Sequence, residues 1–340
     1  MATIRVKADY PTIQAAVNAA FPGDVILVED GVYNEQVTIN TSFIKIIGGE
    51  QTILDGKMQL SVGFVLNNTN GVEIKSFIIK NFRSDGIDVT GNGNANVIEK
   101  TQISDANYYG ITLASSVVNS QIKNVSISGV YYGIYNLSNN LRIEGSRIAF
   151  NGGYGIYCSG NSANLVINRD TINNNYSYGI GFFGASATIT SNRVFENNSN
   201  GIYVYSNCLI SGNQVYENAS HGIVLASINY IVKENHVHKN GGTGIYVDGS
   251  GYNFVISNSS NDNTANGILI TTTGNTIEGN KTHGNGIYDI ARLYANNTVR
   301  NNRCHTSLPP MICDKCDEHQ DAEDDDEAQP AAEEELIWAK

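Results

Sequence analysis

The stretch NGIYVYSNCLISGNQVYENASHGIVL, residues 200–225, contains the pair Gly-Ile twice, at Gly201 and at Gly222. After the first pair, apolar residues alternate with others in Ile202-Tyr203-Val204-Tyr205. Such alternation is typical of a β-strand with one buried face. Between the pairs, an apolar residue is twice followed three positions later by Asn, in ISGN and VYEN. The stretch therefore has the features of one unit in a repeat of short strands.

The Gly-Ile pair recurs through most of the chain. It begins at Gly86, Gly110, Gly133, Gly155, Gly179, Gly201, Gly222, Gly244, Gly267 and Gly286. A second apolar series keeps the same spacing, at Ile98, Ile122, Ile143, Ile167, Ile189, Ile210, Val232, Ile256, Ile277 and Val299. A third apolar series follows the second by five residues. Series in phase at a period of about 22 residues predict a repeat architecture.

Each unit has room for three short strands joined by tight bends, and no unit contains a long run of helical spacing. The Leu-x-x-Leu-x-Leu frame of a leucine-rich repeat is absent as well. The recurring Asn residues suit the left-handed backbone of a sharp bend, and stacked Asn amides can hydrogen-bond along a rod. The repeat therefore predicts a parallel β-helix, in which stacked coils share one apolar interior.

The N-terminal stretch PTIQAAVNAAFPGD, residues 11–24, places Ile13, Ala16, Val17 and Ala20 at helical spacing and predicts a short helix that caps the stack. With the following DVILVEDGVYNEQVTI, it resembles the start of the pectin-lyase-like right-handed parallel β-helix superfamily, which includes NosD-like and carbohydrate-binding or sugar-hydrolase repeat proteins. The resemblance covers residues 8–304. It implies an all-β, single-stranded right-handed parallel β-helix, for which the repeat predicts about ten to twelve coils, and it specifies a fold more than a reaction.

Charge divides the chain of 340 residues into a body and a tail. The formal net charge is -12, and residues 314–340 hold twelve Asp or Glu against two Lys. We expect one β-helix domain at 1–313, with a cap at 1–23, coils at 24–304 and a second cap at 305–313, followed by a disordered acidic tail at 314–340. The lack of a basic stripe argues against nucleic acid as a partner, and no apolar run is long enough for a membrane span.

The compartment and the oligomeric state are not decided by the sequence. The opening MATIRVKADY lacks the apolar core of a signal peptide. A cytoplasmic location, export by another route and removal of a leader therefore all remain open.

Tyrosine recurs at two outward positions of the strands that begin with Gly-Ile, directly before Gly and directly after Ile. The tyrosines at these positions include Tyr109, Tyr132, Tyr135, Tyr154, Tyr157, Tyr178, Tyr203 and Tyr246. Their rings and hydroxyls suit the faces and hydroxyls of sugars, which predicts a polysaccharide or surface glycan as partner. An aromatic ladder that only stabilises the sheet is the alternative interpretation, and both stay open.

Carboxylates occupy one end of these tyrosine columns. FRSDGIDV supplies Arg83, Asp85 and Asp88, and the next unit supplies Asp105. Neighbouring carboxylates can act as general acid and base on a glycoside, or hold calcium while Arg or Tyr moves a uronate proton. The resemblance implies such roles in the superfamily. However, the Asp-Pro-His-Asp frame of mannuronan epimerases, the Arg-x-Pro-x-x-Arg frame of pectate lyases and, outside the tail, the Asp-Asp pair of polygalacturonases are absent.

Two hypotheses about function follow. The first is a non-catalytic β-helix that binds a glycan, with Arg83 and the tyrosines as contacts. The second is a polysaccharide lyase, glycoside hydrolase or uronan epimerase centred on Asp85, Asp88 and Asp105.

A cysteine and histidine cluster near the C-terminus comprises Cys304, Cys313, Cys316 and His319. These residues have the ligand types of a zinc site, whereas a disulfide between Cys304 and Cys313 would clip the last coil. Both interpretations stay open. His236 and His238 share one strand face. Because NosD-like proteins serve copper-enzyme assembly, the resemblance implies metal handling as a further alternative, although an exposed histidine pair is the simpler interpretation.

Overall fold

The computed structural model describes residues 2–160, 162–249 and 251–313. Within them the chain forms a short helix and a continuous coil, and each full turn of the coil contributes one strand to each of three parallel sheets. We name these sheets A, B and C in the order in which the chain passes through them. The predicted all-β parallel β-helix with a short N-terminal helix is confirmed.

The strands of sheet A are Thr3–Val6, Val25–Val28, Lys45–Ile47, Glu73–Lys75, Val97–Glu99, Gln121–Lys123, Arg142–Glu144, Leu165–Asn168, Ala187–Thr190, Cys208–Ser211, Ile231–Lys233, Phe254–Ile256, Thr276–Glu278 and Thr298–Arg300. Those of sheet B are Gly31–Tyr33, Thr52–Asp55, Ile78–Lys80, Gln102–Ser104, Ser126–Ser128, Arg147–Ala149, Thr171–Asn173, Arg193–Phe195, Gln214–Tyr216, His236–His238, Ser259–Asn261, Lys281–His283 and Arg303–Cys304. Those of sheet C are Val37–Ile39, Phe64–Asn67, Ile87–Thr90, Tyr109–Leu113, Tyr132–Asn136, Ile156–Cys158, Ile180–Phe182, Ile202–Val204, Ile223–Leu225, Ile245–Val247, Ile268–Ile270, Ile290–Arg292 and Ser307–Leu308.

The stack is longer than the ten to twelve coils predicted. Sheet A has 14 strands and sheets B and C have 13 each, which makes about 14 turns. The additional turns lie mainly before Gly86, because Val37–Ile39 and Phe64–Asn67 enter sheet C without a Gly-Ile pair. The strand Ser307–Leu308 also lacks the pair. Counting Gly-Ile pairs therefore underestimates the number of coils.

The register corrects two positions of the predicted repeat. Ile290 continues the buried column of sheet C, whereas Ile287, from the last Gly-Ile pair, is 57% exposed. In sheet A, Val255 pairs with Val232 and continues the second series in place of Ile256. The bends vary in length, but the register keeps an apolar side chain inside at these two positions.

One apolar interior runs through all the coils. Ile202 and Ile223 are vertical neighbours in sheet C, and both are fully buried. The glycine before each such isoleucine is explained by close packing of neighbouring coils. A Cβ on Gly201 would lie 2.9 Å from the carbonyl oxygen of Gly222 and 2.8 Å from Asn218 Nδ2. The Gly-Ile pair therefore marks a point where two coils approach too closely for a side chain.

In the described ranges, buried and partly buried asparagines form two long ladders, which confirms the predicted stacking of their amides, and a short one of Asn253, Asn275 and Asn297 at the bends from sheet C to sheet A. The first ladder, at the bends from sheet A to sheet B, comprises Asn192, Asn213, Asn235, Asn258, Asn280 and Asn302. The second, at the bends from sheet B to sheet C, comprises Asn151, Asn175, Asn197, Asn218, Asn240, Asn263 and Asn285. The side-chain N–H groups of these asparagines also donate hydrogen bonds to buried backbone carbonyls, such as those of Ile167 and Ile172.

The helix Ile13–Ala19 covers the N-terminal end of the stack. The hydroxyl of Thr12 accepts a hydrogen bond from the first turn, and the two carboxylate oxygens of Glu35 accept the backbone N–H groups of Ile13 and Gln14, both at 2.9 Å. Ile13 and Val17 are buried beneath the helix. This is the only helix in the described ranges, and its seven residues cannot cross a bilayer.

At the opposite end, Cys304 and Cys313 form a disulfide with Cα atoms 5.6 Å apart. This confirms the predicted clip, and the prediction that these two cysteines bind zinc is wrong because both thiols are consumed by the disulfide. Cys316, His319 and the acidic tail at 314–340 lie outside the described residues. The domain limits stay predictions, although Thr3–Val6 pairs with sheet A before the helix and Ser307–Leu308 pairs with sheet C after residue 304.

Candidate functional site

The outer face of sheet C carries two columns of side chains. In each strand, buried residues flank one residue that points outward. Along one column, Asp88, Thr112, Tyr135 and Tyr157 are partners in successive strands. Tyr109 and Tyr132 are partners in the second column, one position before the glycine. The coil stacking thus brings residues more than twenty positions apart into direct contact.

Ten aromatic side chains meet on this face and make one surface, which we name the tyrosine face. Its members are Tyr108, Tyr109, Tyr131, Tyr132, Tyr135, Tyr154, Tyr157, Tyr178, Phe183 and Tyr203. The rings of Tyr109 and Tyr135 stack with centroids 4.7 Å apart. Those of Tyr135 and Tyr157 are 5.4 Å apart and tilted by only 2°. The surface spans the coils from Tyr109 to Tyr203 without a break.

A glycine in the middle of the column does not interrupt this surface. At Gly181 the rings of neighbouring residues cover the backbone, and a Cβ there would lie 2.8 Å from Cε1 of Tyr154 and 3.2 Å from Cε2 of Phe183. The Phe183 ring bridges Tyr157 and Tyr203, with its centroid 5.5 Å from each. Gly181 therefore makes room for aromatic rings that arrive from either side.

The sequence reasoning placed Tyr108 only beside the carboxylates at one end of the columns, and it missed Tyr131 and Phe183. Tyr108 and Tyr131 are 55% and 48% exposed, and the ring of Tyr131 stacks on that of Tyr132 at 4.4 Å. The duplicated tyrosines in NYYGI and VYYGI are the available signal for these two. Phe183 follows the inward Phe182 at the end of its strand, where no repeat position indicated it.

Burial favours the protonated phenol in part of the tyrosine face. Desolvation is the main cause that raises the pKa of Tyr109, Tyr154 and Tyr203, and neighbouring phenols add to it. Neutral phenols both donate and accept hydrogen bonds. Tyr246 lies farther along the column, separated from Tyr203 by Val224, and its hydroxyl donates to Asp248 at 3.0 Å. Tyr246 therefore stands apart from the tyrosine face.

Asp85 and Asp88 adjoin the N-terminal end of the tyrosine face. The carboxylate of Asp85 accepts hydrogen bonds from the Thr112 hydroxyl at 2.9 Å, the Ser84 hydroxyl at 3.1 Å and the Tyr109 N–H at 3.2 Å. Burial nevertheless raises the pKa of Asp85. Burial, and then the charge of Asp85, raise the pKa of Asp88. This pair therefore holds a proton more readily than exposed carboxyls do.

The other two polar candidates are placed differently. Asp105 is exposed at the bend after Gln102–Ser104, with φ of 54°, and in the described ranges no hydrogen bond joins it to Asp85 or Asp88. Arg83 is exposed two positions before Asp85, and no ion pair among the described residues involves it. The structure brings Asp85 and Asp88 together, and the roles of all four residues remain predictions.

The predicted calcium site lacks a ligand set in the described part of the chain. No group of three or more His, Cys, Asp or Glu side chains there is arranged to hold a metal ion. Both carboxylate oxygens of Asp85 already accept hydrogen bonds from Ser84, Thr112 and Tyr109. Calcium normally needs six or more oxygen ligands, which Asp85 and Asp88 do not supply by themselves.

Comparison with known proteins gives matches by family and by structure. A family model described as "Right handed beta helix region" matches residues 62–209, and one described as "Periplasmic copper-binding protein (NosD)" matches residues 161–287. The A-module of mannuronan C-5 epimerase AlgE6 from Azotobacter vinelandii is similar in structure, with a TM-score of 0.72, 16% identity, and coverage of 88% of this chain and 94% of that chain. The chain has the pectin-lyase-like right-handed parallel β-helix fold. No curated protein sequence matches it.

Two further structures share the pectin-lyase-like fold with this chain. DFA-IIIase from Arthrobacter chlorophenolicus A6, in complex with GF2, has a TM-score of 0.64 and 16% identity, over 88% of this chain and 98% of that chain. Pectate lyase Pel9A has a TM-score of 0.53 and 15% identity, over 89% of this chain and 79% of that chain. At this level of identity the likeness concerns the fold alone.

The histidine pair of this pectin-lyase-like β-helix does not fit a copper centre. The rings of His236 and His238 have centroids 4.7 Å apart, and the His238 ring lies flat on that of Tyr216 at 5.0 Å. Desolvation lowers the pKa of His238 to about 4. No third His, Cys, Asp or Glu completes a metal site with them in the described ranges. The pair therefore belongs to a second aromatic stack, on sheet B.

Proposed function

We propose that this β-helix binds a polysaccharide along the tyrosine face. The observation that supports the proposal is the unbroken run of rings from Tyr109 through Tyr135, Tyr157 and Phe183 to Tyr203, with successive centroids 4.7 to 5.5 Å apart. The run presents apolar ring carbons and, on most rings, a hydroxyl, which matches the apolar faces and hydroxyl edges of sugars. An extended sugar chain lying along the rod would meet a new ring at each coil.

The exposure of the outer rings favours a ligand over a purely structural ladder. Tyr108 and Tyr131 lie outside the buried part of the sheet and remain about half exposed. Contiguous exposed apolar patches of this kind mark binding surfaces more often than they contribute to stability. The names of the similar structures, a mannuronan epimerase, a pectate lyase and DFA-IIIase with GF2, also support a carbohydrate partner.

Replacing Tyr157 with alanine is expected to weaken glycan binding by about tenfold, because a central aromatic contact is typically worth more than 1 kcal/mol. A glycan array would identify a ligand, and titration calorimetry would then compare the affinities of wild type and Tyr157→Ala. Tyr252→Ala is the matched control, since Tyr252 is 73% exposed at a bend before sheet A. Unchanged affinity in Tyr157→Ala would contradict the proposed surface.

A polysaccharide-active enzyme is the second candidate, and the adjacent carboxyls of Asp85 and Asp88 favour it. The raised pKa of Asp88 lets it keep a proton to higher pH than an exposed carboxyl, as a general acid must. Its place beside Thr112, in the column that leads to Tyr135, would put it against a bound chain.

If the protein is catalytic, Asp88→Asn is expected to lower turnover at least a hundredfold while leaving glycan affinity within about threefold. Product analysis would look for new reducing ends, unsaturated uronates or epimerised residues on each polysaccharide that binds. Wild-type protein that binds a polysaccharide and leaves it unaltered would reject this second candidate.

A further inference from the structure

The distribution of charge around the coils is uneven. In six successive units, the segment that contains the sheet C strand and its flanking bends has no Lys, Arg, Asp or Glu. These segments are 106–122, 124–141, 148–168, 171–192, 197–216 and 218–232. The charged residues of the same units lie on sheets A and B or at bend residues next to them, such as Lys123, Arg147, Arg193 and Glu217. The tyrosine face is thus the uncharged side of a rod that is charged elsewhere.

The titratable side chains on this face are phenols, one imidazole and the carboxyls toward its two ends. Tyr109, Tyr132, Tyr154 and Tyr203 have raised pKa values, with desolvation as the main cause. His221 is the histidine of these segments; burial lowers its pKa, and its Nδ1 accepts the N–H of Thr243 at 2.8 Å. The nearest carboxyls, Asp85 and Asp88, stand at one end, and Asp248 lies beyond Tyr203 toward the other. A ligand lying along the face would meet no cationic partner between these carboxyls.

A polyuronate carries one carboxylate on each sugar, and burying carboxylates against uncharged rings without cations is costly. Proteins that hold carboxylate or phosphate polymers place Arg or Lys against them, because these side chains form charge-assisted hydrogen bonds. On this β-helix, Asp85 and Asp88 would add repulsion at the end of the face when they are ionised, and the cation near that end is the exposed Arg83, outside the run of rings. The charge distribution therefore disfavours binding of an acidic glycan. It does not disfavour contact between a neutral glycan and the rings.

We infer that the ligand of the tyrosine face is an uncharged polysaccharide and not a polyuronate. This inference rests on the proposed function and specifies its substrate class. It also separates this chain from the mannuronan epimerase and the pectate lyase with which it shares a fold, because mannuronan and pectate are polyuronates.

The test uses pairs of polymers that differ only in charge. Homogalacturonan and alginate are each compared with their carboxyl-reduced forms, alongside neutral glucans, mannans, xylans and fructans, using the full chain at low and high salt. We expect at least one neutral polymer to bind, at least tenfold more tightly than either polyuronate. Its affinity should not change with salt, because no ion pair is screened. Tyr157→Ala should lose this binding and Tyr252→Ala should keep it.

Three other outcomes would contradict the neutral ligand, the proposed function, or both. Tighter binding of a polyuronate than of its carboxyl-reduced form would overturn the neutral class and leave the proposed function standing. Absence of binding to every polymer would overturn the proposed function itself. Light scattering that shows a dimer, dissociated by Tyr157→Ala, would identify the face as an interface between two copies and overturn both.

Discussion

Asp170→Asn is expected to raise the free energy of unfolding by about 4 kcal/mol at pH 8. Asp170 stands at the N-terminal end of the first asparagine ladder and is almost fully buried. Its N–H donates to Asn192 Oδ1 at 2.9 Å, and its Oδ1 accepts the N–H of Ser146 at 2.7 Å. Its Oδ2 has no hydrogen-bond partner in the described ranges. An asparagine would place an N–H donor there, as in Asn192, whose Nδ2 donates to Asn213.

The pH dependence of the free energy of unfolding follows from the raised pKa of Asp170. Burial raises the pKa of Asp170 to about 7, from 3.8 for an exposed group. A folded-state pKa above the unfolded one means that the stability contributed by the neutral acid is fully present below about pH 3.8. That contribution is lost as the pH rises through about 7. The wild type should therefore weaken between pH 4 and pH 8, whereas Asp170→Asn should lack this component.

Guanidinium unfolding at pH 5 and pH 8 would measure the difference between the two proteins. Asp262→Asn provides the control, because Asp262 is an exposed bend residue. Its substitution is expected to leave the free energy of unfolding within about 0.5 kcal/mol at both pH values. Equal pH dependence in Asp170→Asn and wild type would show that Asp170 is not a buried neutral acid.

Asn197→Ala is expected to lower the free energy of unfolding by about 4 kcal/mol or more, which is large for one substitution. The Nδ2 of Asn197 donates to Asn218 Oδ1 and to the carbonyls of Ile172 and Phe195, at 3.0 to 3.1 Å. Its Oδ1 accepts both the N–H and the Nδ2 of Asn175, at 3.1 and 2.9 Å. Alanine would leave several of these buried groups without a partner, at about 1 to 3 kcal/mol each.

The next residue in the chain supplies the control for this substitution. Asn198 is exposed, and the hydrogen bond that it donates to the Asn175 carbonyl comes from its backbone N–H. Asn198→Ala should therefore change stability by no more than about 0.5 kcal/mol in the same unfolding experiment. Similar losses in both variants would mean that the ladder amides are not the source of stability.

The repeat was predictable because two physical requirements leave a trace in every unit. Close approach of coils requires glycine, as at Gly201, and buried bends require an amide, as at Asn197. The coil of the strand Phe64–Asn67 was left out of the Gly-Ile series because Phe64, not isoleucine, follows Gly63, although Gly63 also lies close to the next coil. The Gly-Ile pair at Gly286 was wrongly assigned to the repeat. In that coil, Asp289 and not a glycine precedes the buried isoleucine of sheet C, and its carboxylate accepts the backbone N–H groups of His305 and Thr306 in the last turn.

The candidate site was predictable in part. Tyr135 and Tyr157 follow from their fixed place in the repeat, whereas Phe183 enters the tyrosine face from beyond its strand, where ring packing and not spacing decides its position. Asp85 lies against the sheet C strand of the next coil, where it accepts the N–H of Tyr109, whereas Asp105 lies at a bend with φ of 54°. The sequence spacing did not distinguish these two positions. Cys304 and Cys313 have side chains that suit either a disulfide or a metal, so only their pairing in three dimensions separates the two.

The in-register stacking of coils makes the rod modular. Interior strands bond to their counterparts one turn above and one turn below, so a tandem copy of a middle unit such as 201–221 would find the same kinds of neighbours on both sides. Such a duplication would extend both asparagine ladders and add one more turn to the outer surface. The length of the outer surface can therefore change by whole turns without any change in the packing of the interior.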